Sequence, residues 1–251
     1  MLDLENATSV PPLSPQPGRT WDFMETIFVS LIAYGVFTLA AGLTLDVMLA
    51  MSNGADTLSR AQTRMQGDWY GLALIIASPL TIAVLWIAIR MARREFAEYL
   101  ALNWPSRREL IHALAITALF LFVEILAVSL FGANESVDYP NDFLSAREAG
   151  GLLIFLIGGC IAGPLMEEFV VRGFMFRGWS QSFLGPIGAI VLTSMLWAMA
   201  HTQYDWFGRF WIFVSGLVLG HFRWRSNSTW LAVMCHSAIN ISIFFLLGLY
   251  V

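Results

Sequence analysis

The most restrictive feature of this sequence is a series of apolar runs, each close to the roughly twenty residues that a helix needs to cross a bilayer. Of the 251 residues, 57% are hydrophobic and 13% are charged, and the mean hydropathy is +0.66. Ordinary soluble domains carry about 25% charged residues. The sequence therefore predicts an all-α, polytopic transmembrane helical bundle that forms one domain over residues 22–251.

The apolar runs predict about seven spans, with polar loops at about 52–69 and 133–148. The predicted spans cover about Phe23–Met51, Tyr70–Met91, Ile111–Phe131, Ala149–Trp179, Phe183–His201, Phe207–Phe222 and Thr229–Val251.

Residues 1–21 contain four prolines among polar residues and lack the apolar core of a secretory signal, which predicts a flexible cytoplasmic tail. Five of the fourteen basic residues, all of them arginine, lie between Arg90 and Arg108 around the connector after the second span. The positive-inside rule places this connector and the N-terminus in the cytoplasm. We expect an integral protein of the cell membrane. With a net charge of −4 and no basic patch, a nucleic-acid partner is not expected.

Two small-residue motifs, Gly159-x-x-x-Gly163 and Gly216-x-x-x-Gly220, lie in the fourth and sixth predicted spans. Such spacing is typical of helices that approach closely in lipid. We expect internal packing of these two spans, with homodimerisation as the alternative.

The stretch Gly163–Gly173 places two adjacent carboxylates, Glu167 and Glu168, and Arg172 inside an apolar span. A charge near the bilayer centre costs roughly 2.5–3.5 kcal/mol on insertion scales, so these groups need partners, water or a function. Glu168 and Arg172 are four residues apart and can pair on one helix face. Adjacent helical residues point about 100° apart, which leaves Glu167 as the free carboxylate. The alternative is an ion pair that only stabilises a helix.

Three further polar residues lie in later spans, namely His201, His236 and Asn240. If the fourth and fifth spans form a hairpin that turns near Leu184, Glu167 and His201 are each 17 residues from the turn and stand at the same height. His236 and Asn240 are four residues apart and share a helix face, as do Trp197 and His201. The spacing predicts that these groups meet between three helices.

This set of groups predicts hydrolysis of an acyl bond, most simply a peptide bond. Glu167 can act as a general base that takes a proton from water, and an imidazole can position that water. A histidine and asparagine face can donate hydrogen bonds to an oxyanion. Glu124, in the third span, is a further carboxylate in apolar surroundings that either joins the site or pairs with another helix.

The ordered motifs Glu167-Glu168-x-x-x-Arg172, Trp197-x-x-x-His201 and His236-x-x-x-Asn240 resemble those of the CAAX-protease and bacteriocin-processing family of intramembrane endopeptidases. The resemblance covers about residues 149–245, the expected catalytic core. Two features depart from the family. Its second motif usually begins with phenylalanine, whereas this chain has Trp197, and characterised members have about eight spans.

The resemblance implies a role for each motif residue. Glu167 would activate water, His201 would be its catalytic partner, and His236 with Asn240 would stabilise the oxyanion. Glu168 and Arg172 would support the site, and Trp197 would form an aromatic wall against the substrate. The implied substrate is a membrane-associated peptide or protein tail, and the sequence leaves open whether that tail is prenylated.

The sequence favours a metal-free mechanism without a cofactor, with zinc as the alternative. Two histidines and one or two glutamates suit zinc, but they lie on three helices and the chain has no His-Glu-x-x-His motif. Two other classes of function remain open. One is a non-catalytic membrane scaffold or immunity protein, and the other is a proton-coupled transporter that uses the glutamate pair.

Overall fold

The computed structural model describes residues 18–51, 67–131 and 139–250, and these residues are almost entirely helical. The predicted tail over residues 1–21 falls mainly outside the described residues. The helices are α1 (Phe23–Met51), α2 (Gly67–Met91), α3 (Phe96–Tyr99), α4 (Arg107–Phe131), α5 (Tyr139–Glu148), α6 (Leu152–Ser180), α7 (Gly185–Ala200), α8 (Trp206–Ser226) and α9 (Thr229–Tyr250).

Five helices in the described part of the chain are long and apolar enough to cross a membrane. They are α1, α2, α4, α6 and the Thr229–Leu246 part of α9. The apolar helix α7 has only 16 residues, and α8 does not meet the same criterion. The protein is therefore an integral membrane protein with an all-helical fold, as predicted, whereas the number of seven or eight spans stays a prediction.

Helix α6 lies at the centre of the bundle. Half of its most apolar window is buried inside the protein, against 17% for α1 and for α4, which turn most of their apolar side chains outward. Helices α2, α7 and α9 pack around α6. The charged side chains of Glu168 and Arg172 on α6 are enclosed by these helices and are kept away from lipid.

Several helix starts are specified by local side-chain caps. Before α4, Glu109 accepts hydrogen bonds from the Ser106 backbone N–H and hydroxyl, and the Glu109 N–H donates back to Ser106 Oγ. Asp22 and Glu25 make the same reciprocal pair before α1. These capping boxes satisfy backbone donors that the first helical turn leaves free.

One end of the bundle collects the arginine-bearing ends of α2, α6 and α8. Arg177 near the end of α6 donates to Glu98 in the connector after α2, at 3.1 Å. In the turn after α8, the Asn227 carbonyl accepts from Asn103, and the Thr229 N–H donates to the Ala101 carbonyl. The three ends therefore lie on one side of the bundle.

Two predicted features, the loop over residues 133–148 and the fourth span, differ in detail from the observed structure. The acidic loop predicted over 133–148 forms helix α5 from Tyr139 onward, because it packs under the ends of α2 and α6. Residues 132–138, like 52–66, lie outside the described residues. The fourth span is also not one regular helix, since α6 contains two π-helical segments, which the apolar pattern does not indicate.

The glycine motifs serve packing inside the bundle. A Cβ added at Gly216 would lie 2.7 Å from the Ser194 Cβ, and one at Gly220 would lie 2.9 Å from the Ile190 side chain. Both contacts join α8 to α7. The structure therefore uses this motif for close approach of helices within one chain.

Gly71 gives a direct test of close packing between α2 and α6. A methyl group there would lie 2.6 Å from both the Ile154 carbonyl oxygen and the Phe155 Cα, and neither backbone can move independently. We expect Gly71→Ala to lower the free energy of unfolding by about 1–3 kcal/mol. In the matched control Gly35→Ala, the added methyl meets nothing within 4 Å, so helix propensity should leave stability equal or raised by about 1 kcal/mol. Thermal unfolding in detergent measures both, and equal melting temperatures would contradict the packing.

Candidate active site

The two glutamates lie on a short α-helical turn, Gly163–Glu168, between the π-helical segments Gly158–Ala162 and Phe169–Met175. A π-helical turn adds a residue to the turn and rotates the side chains that follow it, and such turns occur frequently at functional sites. The irregular backbone therefore marks this part of α6 as a candidate site. It also sends the two adjacent carboxylates into different surroundings.

Glu168 points into the protein interior, where its side chain is fully buried. Its Oε1 atom accepts a hydrogen bond from Arg172 Nη1 at 2.8 Å and lies 2.9 Å from His236 Nδ1. Arg172 is also buried, and its Nη2 donates to the Gly216 carbonyl on α8 at 3.3 Å. A buried charge is tolerated when it is paired and hydrogen-bonded, so this ion pair links α6 to α8 and α9.

Glu167 is only partly buried and faces a cavity. Its Oε2 atom accepts a hydrogen bond from the indole Nε1 of Trp197, on α7, at 2.6 Å. The two glutamates thus lie in different environments, as the sequence predicts. Glu168 is enclosed in an ion pair, whereas Glu167 is held by a neutral donor beside open space.

His201 follows the last residue of α7 and lines the same cavity as Glu167. Its Nδ1 atom lies 2.8 Å from the carbonyl oxygen of Trp197. Because a carbonyl only accepts hydrogen bonds, Nδ1 is assigned as the donor in this contact, which leaves Nε2 outside it. The structure places Glu167 and His201 on the same cavity, with Trp197 in contact with both, while their joint catalytic role stays a prediction.

Trp197 is the common neighbour of the candidate residues. Its ring lies 5.1 Å from the His201 ring and 5.3 Å from the His236 ring, between centroids, and both pairs are edge to face. The Arg172 guanidinium lies over the indole face, 4.4 Å from its centroid. The predicted aromatic wall therefore also contacts the polar groups behind the cavity.

His236 and Asn240 share a face of α9, as predicted, but both bond to α6. His236 pairs with Glu168, and Asn240 Nδ2 donates to the Gly159 carbonyl at 2.7 Å. Two physical reasons account for this. The buried carboxylate needs a second donor, and Gly159 lies in a π-helical segment, where the regular backbone hydrogen-bond pattern is interrupted. Neither His236 nor Asn240 is among the described residues that line the cavity.

The cavity has a volume of about 580 Å³ and lies between α1, α2, α6 and α7. Its walls are mainly apolar, and Glu167, His201 and Gln203 supply polar groups. A site of this size with a few convergent polar groups is typical of ligand-binding pockets.

Sequence reasoning missed the contribution of α1 to the cavity. Ser30, Tyr34 and Thr38 line it, and they recur at four-residue intervals on a mainly apolar helix. That spacing places polar groups on one helix face and is the signal that could have identified this wall. Glu124, on α4, is not among the described residues that line the cavity.

The described residues do not fit a metal site. Among them, no group of three or more histidine, cysteine, aspartate or glutamate side chains is arranged to hold a metal ion. Glu168 and His236 bond each other, and Arg172 supplies the positive charge that a cation would provide. The metal-free mechanism stays a prediction to be tested.

In a comparison with known proteins, part of the chain matches a family model. Residues 149–242 match the family model described as type II CAAX prenyl endopeptidase Rce1-like. This match confirms, over residues 149–242, the resemblance to CAAX proteases seen in the sequence. Searches of curated proteins and of solved structures found no significant match. The matched segment runs from just before α6 into α9 and contains every motif residue of the candidate site.

The buried ion pair predicts unequal effects of substitution at the two glutamates. We expect Glu168→Gln to lower the free energy of unfolding by about 3–5 kcal/mol, because it leaves the buried Arg172 without a counter-charge. Glu167→Gln is the matched control and should unfold near the wild-type temperature, since the amide oxygen still accepts the Trp197 hydrogen bond.

Thermal unfolding of the purified variants in detergent measures the difference. Adding Arg172→Met to Glu168→Gln should recover part of the loss, because the unpaired charge is removed. Equal stability of Glu167→Gln and Glu168→Gln would contradict the assignment of Glu168 as the structural partner.

Proposed function

We propose that this protein is an intramembrane endopeptidase that hydrolyses a peptide bond in a membrane-associated peptide or protein tail, with Glu167 activating water. The observation that carries the proposal is the joint position of Glu167 and His201 on one mainly apolar cavity, both in contact with Trp197. The match of residues 149–242 to a protease family model supports hydrolysis as the reaction class.

The proposed reaction begins with a water molecule between Glu167 and Nε2 of His201. His201 accepts a hydrogen bond from that water, and Glu167 takes its other proton as the oxygen attacks the scissile carbonyl carbon. The C–N bond of the resulting tetrahedral intermediate then breaks, and the proton held by Glu167 passes to the leaving amine. Glu168 and Arg172 keep α6 and α9 in register during these steps.

His236 and Asn240 have two roles in this proposal. In the described arrangement they bond to Glu168 and to the Gly159 carbonyl and so hold α9 against α6. The oxyanion role implied by the family resemblance requires substrate binding to turn these side chains toward the scissile carbonyl. Side-chain donors aimed at the developing oxyanion are usually a large part of catalysis in acyl transfer.

The lining of the cavity also indicates which class of substrate it could bind. Its apolar walls suit an apolar chain, which includes a prenyl group on the tail of a substrate protein, and its polar end suits a peptide backbone. We propose that the protein lies in the cell membrane with about seven spans and a cytoplasmic N-terminus, since the arginine-bearing helix ends share one side.

The first test replaces the proposed base. Full-length protein in liposomes is given two quenched fluorescent peptides of one sequence, one of them farnesylated on the cysteine of a C-terminal Cys-aliphatic-aliphatic-x tail. We expect wild-type cleavage of at least one peptide and a loss of about 10²- to 10⁴-fold in Glu167→Gln, because general-base catalysis is removed. Mass spectrometry identifies the products.

Glu124→Gln is the matched control, since it changes a second membrane-embedded glutamate that does not line the cavity. It should keep wild-type cleavage. Full activity in Glu167→Gln would contradict the proposal. A wild-type protein that cuts neither peptide, together with unaltered partner binding in Glu167→Gln, would favour the scaffold, and loss of proton coupling alone would favour the transporter.

Removal of metal tests the cofactor assignment. We expect cleavage of the same peptide to continue at the wild-type rate in the presence of 1,10-phenanthroline, because Glu167 and His201 activate water without a metal ion. Elemental analysis of the purified protein should give well below one zinc per chain. Inhibition that only added zinc reverses, with stoichiometric zinc in the protein, would establish a zinc enzyme instead.

A further inference from the structure

Trp197 contacts Glu167 and His201 through two different parts of the same residue. Its indole Nε1 donates to the Glu167 carboxylate at 2.6 Å, and its main-chain carbonyl accepts from His201 Nδ1 at 2.8 Å. A main-chain acceptor can fix the His201 tautomer whatever side chain residue 197 carries. The contact with Glu167, in contrast, requires an indole N–H at this position.

The indole hydrogen bond has a specific effect on the carboxylate. A hydrogen bond from a neutral donor to a charged acceptor is short and strong. It holds Oε2 of Glu167 in one orientation and leaves the second oxygen for a water molecule. A base whose direction is fixed before the reaction does not have to be ordered during it.

The indole ring of Trp197 is also held in place by burial and by its contact with Arg172. The side chain is only 8% exposed, and Arg172 lies 4.4 Å from the centroid of its ring. A cation over an indole face is attracted to it, most strongly when both groups are out of water. Arg172 itself is fixed by Glu168 at 2.8 Å. The ion pair, the indole and the Glu167 carboxylate thus form one continuous chain of contacts.

We infer that Trp197 is a positioning residue of the hydrolytic site, whose indole N–H orients the Glu167 carboxylate toward the attacking water. The inference rests on the proposed function of Glu167 as the base. It goes beyond an aromatic wall for the substrate, because phenylalanine would supply the same kind of wall and has no N–H to donate.

Two substitutions at residue 197 separate the N–H from the ring. Trp197→Phe removes the donor and shortens the side chain. Replacement of Trp197 by 3-benzothienylalanine keeps the size and shape of the indole and exchanges only the N–H for sulfur. Trp21→Phe is the control, since Trp21 donates its indole N–H to the Ala88 carbonyl outside the cavity.

The kinetics are measured in liposomes with the quenched peptide that the wild-type protein cleaves. We expect both Trp197 variants to lose about tenfold in kcat with KM within about twofold, as when a transition-state contact is lost. Trp21→Phe should keep wild-type kcat and KM. A change in KM alone, or full kcat in the benzothienyl variant, would overturn the positioning role. Trp197 would then act only as an aromatic wall against the substrate.

A second readout does not depend on activity. In protein labelled with ¹⁵N-tryptophan in nanodiscs, the ten indole N–H groups give separate signals, and Trp197→Phe identifies the Trp197 signal by its loss. Glu167→Leu removes the acceptor and should move that proton signal upfield. An unmoved signal would show that the hydrogen bond is not made.

The two proposals fail in different ways. If Glu167→Gln retains cleavage, the proposed base is wrong, whatever the indole signal shows. If Glu167→Gln is inactive while the benzothienyl variant keeps full kcat, the base stands and only the positioning role is overturned.

Discussion

The structure depends on one ion pair that is buried in the protein interior. Glu168 and Arg172 are both buried, on the most enclosed helix of a bundle whose other surfaces suit lipid. Separated from each other, either charge would be very costly at this depth. Neighbouring helices supply several partners to the pair, although Glu168 Oε2 and Arg172 Nε have no hydrogen-bond partner among the described residues. His236 comes from α9, the Gly216 carbonyl from α8, and the indole of Trp197 from α7.

The same arrangement accounts for the difference between adjacent glutamates. The helical offset turns Glu167 away from Glu168, and the π-helical segments on either side fit α6 to several neighbours at once. Glu167 then faces a cavity that α1 and α2 help to enclose. One carboxylate is enclosed in an ion pair, and the next lines the cavity, where the proposed chemistry would take place.

Much of this arrangement could be predicted from the sequence, for identifiable reasons. Apolar runs of span length and a low charge content lead to a helical membrane protein. The four-residue spacing of Glu168 and Arg172 predicts their ion pair, which the structure shows. Equal distances of Glu167 and His201 from Leu184 predict that they meet. These inferences need only the length of apolar runs and the regular geometry of a helix or of two helices joined by a turn.

The remaining features depend on contacts that no local pattern encodes. The apolar pattern does not indicate the π-helical turns of α6, and Gly159, the acceptor of the Asn240 hydrogen bond, lies in one of them. The hydrogen bond from Trp197 to Glu167 depends on how α7 rotates against α6. The wall from α1 could have been suspected from the spacing of Ser30, Tyr34 and Thr38, but only the fold shows that it faces the glutamate.

The most direct measurement of the central claim is substrate trapping in native membranes, with the peptides retained by Glu167→Gln identified by mass spectrometry. The account predicts that Glu167→Gln retains an uncut membrane-associated tail, and that wild-type protein releases the two fragments of the same tail. If Glu167→Gln and wild-type protein retain the same intact partner, and no fragments of it appear with either, the protein binds that partner without cutting it and the assignment of Glu167 as a catalytic base is contradicted.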